Sequence, residues 1–210
     1  MRDVRRIPVL PTIVVALAVA MMIGLGLWQL LDRLPKKQAY LQQLAANPAK
    51  PAIPFPTTPD ETLLFRRVSA TCLEPTAIRK VGAGKAGFRL IADCRTAAGP
   101  DMPVQLGTTR DPTAQIAWTG GAVAGYLSHA PDARPLIAGL FDSTPAPLML
   151  VADTPPPGLA ANARPDLSAV PNNHLAYGVQ WFFFAGVAAV IYGLAVKRRA
   201  AFNLAQSNTR

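Results

Sequence analysis

VLPTIVVALAVAMMIGLGLWQLL, residues Val9 to Leu31, and YGVQWFFFAGVAAVIYGLAV, residues Tyr177 to Val196, contain no charged residue. A helix needs roughly 20 apolar residues to cross a hydrocarbon core of about 30 Å. Each run is long enough. The pattern predicts two membrane-spanning helices, over 9–31 and 174–196, with everything between them on one side. That middle stretch is long enough for one modest domain with its own core.

The net charge of +9 would suggest nucleic acid if it were spread over a folded surface. It is not. Arg2, Arg5 and Arg6 precede the first run, and Lys197, Arg198 and Arg199 follow the second. With Asp3 and Arg210 counted, the tails 1–8 and 197–210 carry +6 and the middle only +3. Basic flanks mark the cytoplasmic side of a membrane. Both tails are therefore expected in the cytoplasm, and nucleic acid is not expected as a partner. Arg33, Lys36 and Lys37 oppose this orientation, but long segments translocate largely regardless of charge.

The first run is long for a signal-peptide core and lacks a small-x-small cleavage site after Trp28, so a retained anchor is expected. The eight residues before it leave no room for an organelle transit peptide. The expected home is a bacterial inner membrane, with lipid as a partner and the middle domain in the periplasm.

Past a short helical extension over Ala39 to Leu44, Pro48, Pro51, Pro54, Pro56 and Pro59 forbid a helix. Residues 32–62 read as an extension and a proline-rich linker. From Leu63 the hydrophobic period becomes two. Val68, Ala70 and Cys72 alternate with Arg67, Ser69 and Thr71. Phe88, Leu90, Ala92 and Cys94 alternate with Arg89, Ile91, Asp93 and Arg95. Further strand candidates are 102–106, 115–119, 122–127, 136–140 and 148–152. Many short strands with turn signals predict a β-rich domain over 63–155, an antiparallel sheet or small barrel of the α+β class. A second linker spans 156–173.

Cys72 and Cys94 lie symmetrically about Ala83, inside Gly82-Ala83-Gly84. A hairpin centred there would set them opposite each other on its apolar face, within disulfide range. An oxidising periplasm permits the bond. The alternative is two small buried residues that never pair, which a register shift at Glu74-Pro75 would produce. No Cys-x-x-Cys motif points to thiol redox catalysis.

The chain has two histidines, no glycine-rich phosphate loop, no Gly-x-Ser-x-Gly and no Cys/His metal cluster. An enzyme is not expected. The informative clusters stand at the ends of the two runs. The first ends Gly26-Leu27-Trp28-Gln29, followed by Asp32, Arg33, Lys36 and Lys37. The second opens His174-Leu175-Ala176-Tyr177-Gly178, then Trp181-Phe182. His174, Tyr177, Gly178 and Trp181 stand at i, i+3, i+4 and i+7, one face of a helix. Interfacial Trp and Tyr belts are common in membrane proteins, and that simpler reading also fits. Ala16, Ala20 and Gly24, and likewise Ala185, Ala189 and Gly193, are spaced by four. Small residues at that spacing allow close helix approach. Packing those faces would bring Trp28 near Tyr177 and Trp181. An imidazole, aromatic walls and nearby cations suit a flat amphiphile with carboxylates, of which haem is one. His129, beside Ser128 and Pro131, reads as a surface-turn residue.

The two clusters together resemble the surfeit-locus family of cytochrome c oxidase assembly factors. The shared features are Gly26-x-Trp28-Gln29 followed by Arg33 and Lys36, then His174-Leu175-x-Tyr177-x-x-x-Trp181-Phe182, and two spans around one domain. The resemblance implies a non-enzymatic helper that holds haem a near the outer membrane face and aids its insertion into the core haem–copper subunit. The haem a synthesis machinery would be a further partner. His174 is then the implied ligand of the haem iron, with Tyr177, Trp181, Trp28, Arg33 and Lys36 around the group. Two departures stand out. The family's Arg usually follows its Trp by four residues, where this chain has Asp32 and then Arg33. Its Arg-Gly-Trp turn is missing from Gln105 to Arg110. The competing readings are a structural assembly chaperone without haem and a periplasmic enzyme anchored by two spans.

Overall fold

The computed structural model describes residues 8–97, 99–131 and 146–208. They form two compact units: a helical one, 8–39 with 171–208, and a sheet unit within 40–170. The strand expected over 136–140 and the charged residues Arg2, Asp3, Arg5, Arg6 and Arg210 lie outside the described residues.

In the helical unit, α1 (Val9–Trp28) leads into a π-helical turn over Gln29–Arg33. The chain then continues as α2 (Leu34–Ala46). Pro35 explains the wide turn. Its nitrogen cannot donate to the carbonyl four residues back, and its ring crowds that carbonyl. Leu34 N–H donates instead to Gln29 O, five residues back. The second long helix, α3 (His174–Asn208), runs through the basic Lys197-Arg198-Arg199. Both long helices are apolar enough to cross a membrane.

The packing of α1 on α3 differs from the expected small-residue stripes. The sheltered side of α1 is Thr12, Val15, Val19, Met22, Gly26 and Gln29. That of α3 is His174, Gly178, Trp181, Ala185, Ala188 and Tyr192. Both step by three and four alternately. Ala16, Ala20 and Gly24 face outward, as do Ala189 and Gly193. A strict spacing of four drifts about 40° per step around a helix of 3.6 residues per turn, whereas alternating threes and fours stay on one seam. Where the seam is tightest, side chains are missing. A Cβ on Gly26 would stand 2.9 Å from the Phe182 ring, and one on Gly178 would stand 2.7 Å from Leu30. The Thr12 and Tyr192 hydroxyls hydrogen-bond across the same seam.

Among the described residues the sheet unit holds seven strands: β1 (Ile53–Pro54), β2 (Arg67–Cys72), β3 (Glu74–Gly82), β4 (Phe88–Thr96), β5 (Gly99–Thr109), β6 (Gly121–His129) and β7 (Leu148–Ala152). Their order is β1-β2-β6-β7-β5-β4-β3. The sheet is mixed, not purely antiparallel: β1 runs parallel to β2, and β5 parallel to β7. β7 lies at its centre and is buried on both faces. Leu148, Leu150 and Ala152 enter one cluster, while Met149 and Val151 enter the other. That is why it reads as an unbroken apolar run. The candidate strand 115–119 is irregular chain. Its alternation is real, since Ile116 and Trp118 pack on the core, but it pairs with no strand.

Cys72 and Cys94 are joined by a disulfide, with Cα atoms 5.2 Å apart. The hairpin between them is β3–β4, and within it Pro75, not Cys72, stands opposite Cys94. Cys72 ends β2, which pairs with β6. The bond therefore links strands with three others between them in the sheet order. The sheet curls enough for β2 and β4 to meet, and Leu73 N–H donates to Arg95 O at the seam. Both sulfurs sit in the main core.

The unit takes in residues beyond 63–155. Leu44 and Asn47 are buried. Asn47 donates to the carbonyls of Thr62 and Leu64, tying the proline-rich stretch down. Asn162 does the same at the other end, donating to the carbonyls of Gln105 and Ala152.

Candidate functional site

The helical unit brings one of the sequence-predicted site residues, His174, into direct contact with the other long helix. His174 Nδ1 lies 2.8 Å from Gln29 Oε1. The close approach at Gly26 and Gly178 makes this contact. Gln29 is three residues beyond Gly26, and His174 four before Gly178, so each stands one turn further along the seam. Trp181 shares the seam and meets Phe184 edge-on, with ring centroids 6.3 Å apart. Tyr177 does not share it. The phenol is half exposed on the outer side of α3. Trp28 is also exposed, at 43%. Among the described residues no ring contact joins it to Trp181 or Tyr177.

The cations are arranged differently from expectation. The Arg33 guanidinium carbon lies 4.5 Å from the centre of the Trp28 ring. A cation over an indole face is attracted by the ring quadrupole. The π turn makes this possible, because a five-residue repeat sets Arg33 rather than Asp32 above Trp28. The one-residue displacement of this Arg relative to the family pattern is absorbed by the backbone. Lys36 Nζ contacts Asp32 at 2.5 Å, and Arg33 Nε stands 3.8 Å from the same carboxylate. Asp32 thus offsets part of the charge that Arg33 and Lys36 would offer to a ligand's carboxylates.

The residues present fit a haem-type group at one definite point. An imidazole with one nitrogen held by an amide leaves the other as a donor, the usual arrangement of a metal-binding histidine. Among the described residues no three of His, Cys, Asp and Glu converge. The other histidine is committed: His129 Nε2 lies 2.8 Å from both carboxylate oxygens of Glu61.

Pattern reading missed a second feature, in the sheet unit. A cavity of about 510 Å³ is lined by Phe65, Arg67, Tyr126, Asp153 and Arg164 among others. Arg67 and Asp153 form a two-point ion pair at 2.8 and 2.6 Å, and that carboxylate holds the guanidinium pKa above its ordinary value. Burial pushes the Tyr126 phenol up, and its hydroxyl donates to the Ala163 carbonyl. Phe65 has φ of +64°, a conformation uncommon for a bulky residue. No local motif announces such a backbone, since Asn47 holds the carbonyl of the preceding Leu64 from a distant stretch of chain.

The model of the SURF1 family matches residues 16–186. No curated protein matches the chain. The match covers most of the sequence: the whole sheet unit, most of α1 and the first part of α3. The chain belongs to the SURF1 family, the surfeit-locus family of cytochrome c oxidase assembly factors. Its place is in the assembly of that oxidase.

Proposed function

We propose that this assembly factor is held in a bacterial inner membrane by α1 and α3 and keeps haem a near the outer face for delivery to the core haem–copper subunit. The observation that carries the reading is the contact between His174 and Gln29 across the hairpin seam. It supports an oriented imidazole in the motif for which the family resemblance implies haem ligation. Bound haem would supply an iron with an open position for nitrogen ligation. The chain's own residues then do the rest. His174 offers the nitrogen. Trp181 walls the seam, and Trp28 with Arg33 forms a cationic aromatic rim. Asp32 tempers the charge of Lys36 and Arg33, which favours release over permanent retention.

The basic tails and the long apolar helices support cytoplasmic termini and a periplasmic sheet unit. A reporter active only in the periplasm should work when fused at Pro157 and be silent when fused after Arg210. The reverse pattern would overturn the topology.

The test of the site is a spectrum. His174→Ala should lower haem a content or shift the Soret band, with the protein still present in the membrane. His129→Ala should leave the spectrum alone, because that ring serves Glu61. A His174→Ala protein with the full wild-type spectrum would make His174 an interfacial anchor and place any haem elsewhere; a wild-type protein without a haem spectrum would leave a structural assembly role.

A further inference from the structure

We infer that Gln29 is a positioning residue for His174, fixing the imidazole tautomer so that Nε2 is the free donor. The inference rests on the haem-holding reading above and adds a residue and a chemical setting to it. A neutral imidazole carries one N–H and one lone pair. The Gln29 atom facing it is the amide oxygen, which only accepts. In this contact the inferred tautomer holds its proton on Nδ1, and the lone pair falls on Nε2. Among the described residues Nε2 has no partner.

The backbone is built to keep this contact. Gly26 and Gly178 let the helices approach at the adjoining turn: a Cβ on Gly178 would come within 3.5 Å of the Gly26 carbonyl. On the other side, the π turn begins at Gln29 itself, and its carbonyl takes the five-residue bond from Leu34. The residue is thus locked between a tight seam and a widened turn. π turns inside α-helices recur at functional sites.

The choice of an amide has a consequence for affinity. A carboxylate at this position would draw the Nδ1 proton and strengthen the ligand. An amide carbonyl orients the ring while adding less basicity. Asp32, the carboxylate on this stretch of α1 and the π turn, is occupied by Lys36. An oriented donor of middling strength suits a protein that must give its ligand up.

The test uses the full chain in lipid nanodiscs with ¹⁵N-labelled histidine. Without haem, the ring shifts of His174 should report a protonated Nδ1. Gln29→Leu should give a mixture of tautomers. Gln29→Glu should keep Nδ1 protonated and move its shift toward a stronger hydrogen bond. With haem a added, Gln29→Glu should shift the midpoint potential downward and slow transfer to an apomyoglobin trap by about tenfold. Gln29→Leu should speed that transfer by about tenfold, the scale seen when a ligand's supporting partner is lost. The Glu variant keeps an acceptor in place, so it still decides the matter if the Leu variant fails to fold. A protonated Nε2 in the wild type overturns the inference, as does an unchanged potential and transfer rate in Gln29→Glu. Failure of the haem reading is separate: it would show as no haem spectrum in the wild type, or as an unchanged one in His174→Ala, which removes His174 as the ligand, while the ring shifts read without haem still decide the tautomer.

Discussion

Leu17 and Leu150 carry the same side chain in opposite circumstances. Leu17, mid-way along α1, is 65% exposed; Leu150, in the centre of β7, is fully buried. The contrast extends to whole units. Ile191 and Phe183 on α3 are more than half exposed, whereas Val104 and Leu127 in the sheet are sealed. A sheet unit that hides its apolar residues is organised by water. A helical hairpin that displays them, keeping its few polar contacts on the inner seam, is apolar enough on its outside to lie in a membrane. One chain thus follows two packing rules. In the sheet the gain comes from leaving water; in the hairpin it comes from close fit and satisfied polar groups.

The comparison breaks most directly at the two leucines. Leu150→Ala should destabilise the sheet unit by about 2–5 kcal/mol, the range for deleting a buried Leu side chain. Leu17→Ala should change hairpin stability by less than about 0.5 kcal/mol in lipid, as surface changes do. Denaturant unfolding followed through Trp118 fluorescence reads the first, because Trp118 packs on the sheet core. Equal costs at the two positions would mean that Leu17 faces a packed protein surface.

Next in size is the covalent staple. Replacing Cys72 and Cys94 together with Ala should cost the sheet unit about 2–4 kcal/mol, since the cross-link restricts the unfolded chain. Reductant should lower the melting temperature of the wild-type sheet and leave the double variant unmoved. The helical signal at 222 nm should be insensitive in both.

The hairpin's own rule is tested at its glycines. Gly178→Ala pushes a methyl group into Leu30 and should cost about 1–3 kcal/mol of helix association. Gly24→Ala should be silent, because a Cβ there meets nothing within 4 Å. Crosslinking of cysteine pairs placed along the seam, in a background lacking Cys72 and Cys94, measures the difference. A larger loss at Gly24 would restore the four-residue stripe as the true contact.

The smallest expected effect is acid sensitivity of the sheet unit. Thr62 and Thr113 donate side-chain and backbone hydrogen bonds to Asp60 and Asp111, and Ser168 does the same for Asp166. These bonds hold all three carboxyls below their ordinary pKa of 3.8. A depressed folded pKa means stability that is present above the unfolded value and lost as pH falls through the folded one. The melting temperature should therefore decline slightly below about pH 4. In Asp60→Asn that decline should be shallower. An identical profile would show that this turn opens before the sheet melts.

Much of this division was legible in the chain. Long uncharged runs announce a helix whose whole circumference is apolar, and alternation announced β2 and β4. What the sequence concealed were relations between distant residues. The spacing of four at Ala16, Ala20 and Gly24 is a sound motif, yet contact follows the three-four seam through Gly26. The cysteines look symmetric about Ala83, but β2 leaves the hairpin at Leu73 to pair with a strand some fifty residues later. The Ile116 and Trp118 alternation shows burial without strand pairing, because a buried loop and a strand can share a period. At the site, His174 and Trp181 were readable as one helical face. Tyr177 was not distinguishable from them by spacing, and the partner role of Gln29 needed the opposite helix. The π turn has a local cause in Pro35, but a proline inside a helix has several outcomes, and this one is visible only in the backbone.

The outer strand β3 bears on a different property, the protein's behaviour at high concentration. It is nine residues long and forms one edge of the sheet, a template on which another chain could add a strand. Its features work against that. Pro75 has no N–H to offer, the pairing slips between Pro75 and Ala77, and Arg79 and Lys80 carry charge along the rim. Such edges are poor partners for one another. A blunted β3 keeps one copy's sheet from extending into the next when many copies are close together.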